Sequence, residues 1–212
     1  MSWAWLGRAV FVLLIIAVTI GGPLTHAWFR SNQSRHFCLV RHGVLYRSGQ
    51  MTVSGLEQAV RDFRIRTVIT LRDPATPEKG VLDAAEQEFC RAKGIRFVRL
   101  SPRRWWSRDG SVPAEENVRR FLQIMDDPRH YPVLIHCFAG THRTGAYCAI
   151  FRMEYDYWSN DRALAEMQAH GYRDLTMDGD LVSYLRSYRP RWQVWAEDPL
   201  SRDEEAEPGR RP

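Results

Sequence analysis

The stretch Val133-Leu134-Ile135-His136-Cys137-Phe138-Ala139-Gly140-Thr141-His142-Arg143-Thr144-Gly145 decides how this chain is read. Its first three residues are a short, fully apolar strand, and a helical pattern follows its last. The chain therefore turns between them and leaves a helix N-terminus whose first N–H groups have no partner inside the helix. Such a terminus attracts anions and lowers the pKa of a cysteine that immediately precedes it. Cys137 occupies that position. Arg143, six positions on, can return across the loop and offer two parallel N–H donors to a phosphate. Gly140 lets the backbone turn its N–H groups inward as a nest. Gly145 is expected to let the helix pack closely on the sheet, and Thr144 sets a hydroxyl beside the sulfur. The stretch predicts a phosphate-binding loop made by Phe138, Ala139, Gly140, Thr141, His142 and Arg143, with Cys137 as its nucleophile.

Outward from this loop, strand and helix patterns alternate. Phe37–Val40 and Val44–Tyr46 are short strands around Arg41-His42-Gly43. Leu56, Val60 and Phe63 recur at helical spacing within Thr52–Phe63. Thr67–Leu71 is a β-branched run and hence a buried strand. A second helix carries Val81, Leu82, Ala85 and Phe89 and stops at Gly94; Ile95–Leu100 alternates apolar residues with arginine, as a strand with one wet face does. Pro113 with Glu115 and Glu116 opens a third helix, striped by Val118, Phe121, Leu122 and Met125. Helices follow to the end, one of them turning Ala163, Leu164 and Met167 inward. Strands separated by helices imply an α/β fold with a central, mostly parallel sheet flanked by helices.

These residues carry a resemblance. Cys-x5-Arg-Thr, preceded by His136 and followed by Gly145, resembles the signature of the cysteine-dependent protein tyrosine phosphatases, and the small size is similar to the dual-specificity branch. Tyr46-Arg47-Ser48-Gly49-Gln50, and Thr67 to Arg72 ending in Leu71-Arg72, resemble its bacterial members. The resemblance covers roughly Phe37 to Arg189. It implies a protein tyrosine phosphatase-like fold and hydrolysis of phosphate monoesters through a cysteinyl-phosphate, with no cofactor. It also implies a general acid on a separate loop, an aspartate some way before the cysteine. Asp109, 28 residues before Cys137 in the loop Ser101–Val112, fits that place. It would protonate the leaving oxygen and afterwards activate water. Glu115 and Glu116 are its rivals, but first-turn acids also complement the helix dipole. The histidine before the cysteine is structural in the family. His142 occupies a variable loop position.

Other readings of the same residues weigh less. His136, Cys137 and His142 cannot surround zinc tetrahedrally from one tight loop, so no metal is expected. A rhodanese-like sulfurtransferase does not need Arg143 and Thr144 at these offsets. A phosphate-binding pseudophosphatase would be expected to have lost the cysteine, the arginine or the acid. Cys148 reads as a small core residue, and Cys38 and Cys90 have no assigned role.

Composition bounds the substrate only loosely. The 212 residues are 44% hydrophobic and 26% charged, enough for one packed domain, and four cysteines are too few for a disulfide scaffold. The net charge is +5, and of the 30 basic residues only Lys79 and Lys93 are lysine. Arginine bias over a whole chain does not call for a nucleic-acid partner, and none is expected. Arg99, Arg103, Arg104 and Arg108, with Trp105 and Trp106 among them, either form a rim for multiply charged phosphates or reflect that bias. Phosphotyrosine or phosphoserine/threonine in proteins is the leading substrate class; phosphoinositides, phospholipids and inositol phosphates are the alternative.

The two ends differ from the rest. Ala9–Ile20 is an apolar run of twelve residues, and from Trp3 past Arg8 to Leu24 it reaches twenty-two, against the roughly 20 that span a bilayer. Residues 1–30 are therefore expected to form a hydrophobic helix and single-pass membrane anchor, with Trp3, Trp5 and Trp28 at its interfaces. Arg30, Arg35 and Arg41 favour a cytoplasmic side for the catalytic domain, expected over residues 37–196. The alternative is a signal peptide cleaved near Thr25-His26-Ala27, with export. Residues 197–212, charged and proline-containing, are expected to be a disordered tail.

Overall fold

A computed structural model describes residue 19 and residues 35–74, 82–172 and 179–197. Its core follows from the alternation of strand side chains, which sends successive residues to opposite faces of one sheet. Leu45, Ile69, Val133 and Ile135 bury one face, while Tyr46, Val68 and Leu134 bury the other. The strands are β1 (Cys38–Arg41), β2 (Leu45–Ser48), β3 (Thr67–Thr70), β4 (Arg96–Arg99) and β5 (Val133–His136). They take the order β1-β2-β5-β3-β4, with only the β1–β2 pair antiparallel. The apolar β5 is central: Leu134 pairs with Tyr46 on one side and with Val68 on the other. A strand covered on both faces needs just such an unbroken apolar run.

Seven helices are described: α1 (Val53–Phe63), α2 (Leu82–Ala92), α3 (Ala114–Met125), α4 (His142–Tyr155), α5 (Asn160–Ala169), α6 (Gly179–Ser187) and α7 (Arg191–Glu197). Thr52 starts α1 by accepting a hydrogen bond from Gly55 N at 3.1 Å, an N-cap of the usual kind. Leu56, Ala59 and Cys90 from α1 and α2 pack on the face of Tyr46, Val68 and Leu134. On the opposite face Phe121, Ile150, Leu164 and Leu181 bring in α3, α4, α5 and α6. Helix α4 is buried continuously from Thr144 to Phe151, so it forms the centre of that layer and has no polar stripe.

Three expectations are corrected here. Gly145 serves the approach of α5 rather than of the sheet, since a Cβ there would lie 2.8 Å from Met167 Cγ. The second strand does not end at Tyr46. It runs on through Arg47 and Ser48, all four residues buried, because β2 lies inside the sheet between β1 and β5. The hydrophobic helix expected over residues 1–30 lies outside the described residues, Thr19 apart. Among the described residues no helix is long and apolar enough to cross a membrane. An apolar run meets the spanning length only as one uninterrupted helix, and none is described, so the single-pass anchor and membrane attachment through it are not supported. Of the expected tail, Glu197 closes α7 and residues 198–212 lie outside the described residues.

Candidate active site

The turn from β5 into α4 is shaped by where its carbonyls go. Phe138 O accepts from Gln50 N at 3.0 Å, Ala139 O lies 2.8 Å from His36 Nδ1, and Gly140 O accepts from Arg47 Nη2 at 2.8 Å. With successive carbonyls tied to the outside of the loop, the peptide N–H groups are left to face its interior, which is how a nest binds an anion. One of them is already engaged: Gly140 N donates to Cys137 Sγ at 3.2 Å.

Two glycines allow this docking. Gly140 has φ +80°, and a Cβ there would meet Gly49 N at 2.5 Å; a Cβ on Gly49 would meet the carbonyl oxygens of Phe138 and Ala139 at 2.9 Å. The loop thus lies backbone to backbone on the end of β2, closer than any side chain permits. Arg47, only 2% exposed, secures the joint from beneath.

Cys137 is 2% exposed, and burial alone would push its thiol up. The Thr144 hydroxyl and N–H, the Gly140 N–H and the Arg143 charge outweigh that and hold it below the ordinary thiol range. Thr144 Oγ1 is buried and has no partner of ordinary hydrogen-bond geometry, so its rotatable hydrogen is free to turn onto the sulfur. Cys90 and Cys148 show the opposite outcome of the same burial. Without such donors their thiols are pushed up to about 12 and about 11, and they stay protonated at neutral pH.

Arg143 is held by Nη1 donating to Leu71 O at 2.7 Å, at the end of β3. It borders a cavity of about 170 Å³ that also touches His142, Trp105, Leu100 and Tyr147. The His142 ring packs against Tyr172 with centroids 5.4 Å apart. Thr141 is the N-cap residue of α4 but makes no side-chain cap, so it leaves the helix N-terminus open. Phe138 is 49% exposed, and Arg35 and Arg72 stand 4.6 and 5.6 Å from its ring centroid.

Behind the loop lies a buried polar relay. Arg72 donates to Gln50 Oε1 and Gln50 Nε2 to Glu86 Oε2, each at 2.9 Å. Glu86 Oε1 lies 3.0 Å from His136 Nε2. That approach is off the hydrogen-bond axis, so it is an electrostatic contact rather than a formed bond. Burial opposes the charge of Glu86, but His136, Gln50 and Arg72 together hold its carboxyl below the ordinary range.

Asp109 is situated differently. It is fully exposed, and its Oδ1 accepts from Ser111 Oγ at 2.7 Å and Ser111 N at 3.0 Å; these bonds hold its carboxyl below the ordinary range. It does not line the cavity beside Arg143. Two of the basic residues before and within its loop are also occupied: Arg103 pairs with Glu116 at 2.9 Å, and Arg99 of β4 donates to the carbonyls of Arg72 and Asp73 at 3.1 and 3.2 Å. The basic groups beside the loop's exposed Phe138 are instead Arg35 and Arg72. Among the described residues no three histidine, cysteine or acidic side chains gather as metal ligands.

A family model described as DSP-PTPase phosphatase fused to NAD+ kinase matches residues 31–180, well over half of the chain. The chain belongs to this family. Its dual-specificity-type relatives are cysteine-dependent phosphatases, and so is this protein. This phosphatase is 38% identical over 192 residues to the dual specificity protein phosphatase TpbA of Pseudomonas aeruginosa strain UCBPP-PA14, covering 86% of this chain and 80% of that one. It is also 38% identical over 123 residues to inositol diphosphatase DSP1 of Oryza sativa subsp. japonica, covering 55% of this chain; the match spans about half of the rice protein, 49%. The crystal structure of P. aeruginosa TpbA superposes with a TM-score of 0.58 at 20% identity, covering 78% of this phosphatase and 96% of that chain, a likeness of fold.

Sequence reasoning names the loop residues of this phosphatase but not the residues that hold them. Arg47, Gly49 and Gln50 stand out there only as part of a resembling stretch, Arg35 only as one of three arginines after the apolar run, and nothing draws attention to Glu86 or His36. A lone acid on an amphipathic helix carries no local signal; only the unusual burial of Glu86, 5% exposed, marks it.

Proposed function

We propose that this phosphatase hydrolyses phosphotyrosine, and phosphoserine or phosphothreonine, in proteins, with residues 37–196 as its catalytic domain. The observation that carries this reading is the thiolate-favouring seat of Cys137, 3.2 Å from Gly140 N and just ahead of the uncapped N-terminus of α4. Cys137 Sγ attacks phosphorus, the P–O bond to the leaving group breaks, and the departing oxygen takes the proton of Asp109. The donors of the loop from Phe138 to His142, and the two parallel N–H groups of Arg143, hold the three non-bridging oxygens through the transition state. Water then attacks the cysteinyl-phosphate and gives a proton to the Asp109 carboxylate. The S–P bond breaks onto sulfur, where Thr144 stabilises the thiolate, and inorganic phosphate departs. Asp109 reaches the leaving oxygen only when the turn at Ser107–Ser111 moves inward, as loops bearing a general acid often do.

A second reading takes an inositol phosphate as substrate. It is favoured by Arg35 and Arg72 beside the exposed Phe138, where a substrate's additional phosphates would meet two guanidinium groups. Comparison of kcat/KM on phosphotyrosine and phosphoserine peptides with that on an inositol diphosphate tests the choice. Peptide turnover exceeding that of the inositol compound supports the protein reading. The reverse order, abolished by Arg35→Ala and Arg72→Ala, replaces it. Absence of turnover even on para-nitrophenyl phosphate would leave a phosphate-binding protein.

A further inference from the structure

The catalytic loop lies beyond the C-terminal ends of the parallel strands. The opposite ends of β3, β4 and β5 open onto a second concavity, one strand length or about 13 Å away. It is an open groove of about 580 Å³ lined by Arg64, Arg66, Arg96, Lys93, Arg129 and His130, together with apolar and backbone atoms and no acidic side chain. The backbone packs these groups together. Arg64 ends α1 in the left-handed region, φ 54°. Arg66 N donates to Pro132 O at 2.9 Å, and Arg66 O accepts from Arg96 N at 3.0 Å.

The charges there do not cancel. Arg129 is matched by Asp127 at 2.8 Å and Lys93 by Glu57 at 3.4 Å. Arg96 donates to the ring of His130, 2.8 Å from Nε2, an acceptor that brings no compensating charge when neutral. Arg64 and Arg66 make no side-chain hydrogen bond or ion pair among the described residues. The ends of α1 and α2 face this side, and two helix C-termini contribute about −0.5 each. That would account for basic residues here if there were one or two of them. Three uncompensated guanidinium groups against about one negative charge leave an excess of about +2.

We propose that this groove is a second anion site, distinct from the catalytic loop, that binds a compact oligophosphate through Arg64, Arg66 and Arg96. The excess charge calls for an anion carrying two or more negative charges. The volume falls within the range of small-molecule sites, about 300–1,000 Å³, and guanidinium groups engage phosphate oxygens by paired donation.

Tripolyphosphate is the probe. Titrated calorimetrically into the full chain carrying Arg143→Ala, which disables the catalytic cradle, it is expected to show one remaining binding event. Adding Arg64→Gln and Arg66→Gln is expected to weaken that event at least about tenfold, the loss of one or two charge-assisted hydrogen bonds. Arg119→Gln with Arg120→Gln, the same charge removed from the exposed side of α3, should leave it unchanged. In the otherwise unaltered chain, Arg64→Gln with Arg66→Gln should keep the rate on para-nitrophenyl phosphate, which shows that the fold is intact. Sedimentation with phosphatidylcholine vesicles containing phosphatidylinositol bisphosphate separates the sources. Co-sedimentation lost with the two arginines assigns a lipid headgroup, and tripolyphosphate binding without co-sedimentation assigns a free anion. Undiminished binding after loss of Arg64 and Arg66, equal weakening by the α3 control, or no binding to an Arg143→Ala chain that melts like the parent overturns the proposal. An inactive parent chain would overturn the proposed function and leave this site standing.

Discussion

The loop from Cys137 to Thr144 and the loop from Ser101 to Val112 supply the two halves of one proposed reaction, and they are built in opposite ways. In the first, three successive carbonyls are engaged by Gln50, His36 and Arg47, and two backbones touch at Gly49 and Gly140. The second is anchored at its base, where Asn117 Nδ2 donates to Ser101 O at 2.7 Å and the Trp105 ring packs 5.0 Å from Tyr184. Its apex, Ser107–Ser111, keeps only local bonds, Gly110 N to Ser107 O and Ser111 to Asp109. The thiolate and its anion donors are therefore organised before a substrate arrives, which is how electrostatic stabilisation avoids reorganisation during reaction. Asp109, the proposed acid, is held by its neighbours in the loop and would have to be delivered.

That contrast can be broken at either half. The largest effect is expected at the centre of the rigid one: Cys137→Ser should abolish turnover of para-nitrophenyl phosphate while phosphate-ester binding persists, and appreciable residual turnover would falsify the thiolate mechanism. Next comes the delivered half. Asp109→Asn should slow an alkyl or unactivated aryl phosphate by about 10²–10⁴-fold, yet slow the first step on an electron-poor phenyl phosphate far less, because a good leaving group needs no proton. Glu115→Gln and Glu116→Gln are the controls; the leaving-group dependence appearing in one of them instead would move the acid to α3.

Arg143→Lys sharpens the account of the rigid half. A point charge cannot reproduce two parallel donors, so it should cost about 10²–10³-fold in kcat, close to Arg143→Ala. A lysine variant with parental rates would show that only charge matters. The smallest effect is expected from Ser111→Ala. Ser111 holds the Asp109 carboxyl low, and its removal raises that pKa, so the proton persists to higher pH. The basic limb of the kcat/KM profile should then move upward in pH with little change at the maximum, whereas an unmoved limb would mean that the Ser111 hydroxyl does not bind the carboxylate in the free enzyme.

Much of this was legible in the chain because it is local. The proposed anion loop occupies Cys137 to Arg143, and strand, turn and helix each announce themselves through apolar periodicity within a few residues. The strands and helices of the sheet layer were visible for the same reason, as was the helix opening at Pro113. Asp109 could be given a loop but not a position, since an exposed turn is determined by neighbours such as Ser111 rather than by its place in the sequence. The arginine cluster before and within that loop could be read two ways, because composition cannot tell an arginine already bound to Glu116 or to a backbone carbonyl from one facing substrate.

An α/β layer fold, a cysteine at a helix N-terminus with an arginine six positions on, and a basic chain can all be read from neighbouring residues. That β5 enters between β2 and β3 comes from the folded sheet alone, and that insertion brings the support residues to the loop. Arg47 reaches Gly140 across 93 positions and His36 reaches Ala139 across 103; Glu86 of α2 meets His136 at the end of β5. The gathering of Arg64, Arg66 and Arg96 at the other end of the same strands was decided in the same way. Periodicity records which side of an element is buried, a property of adjacent residues. Which distant element buries it depends on strand order, and strand order is settled by the packing of the whole sheet.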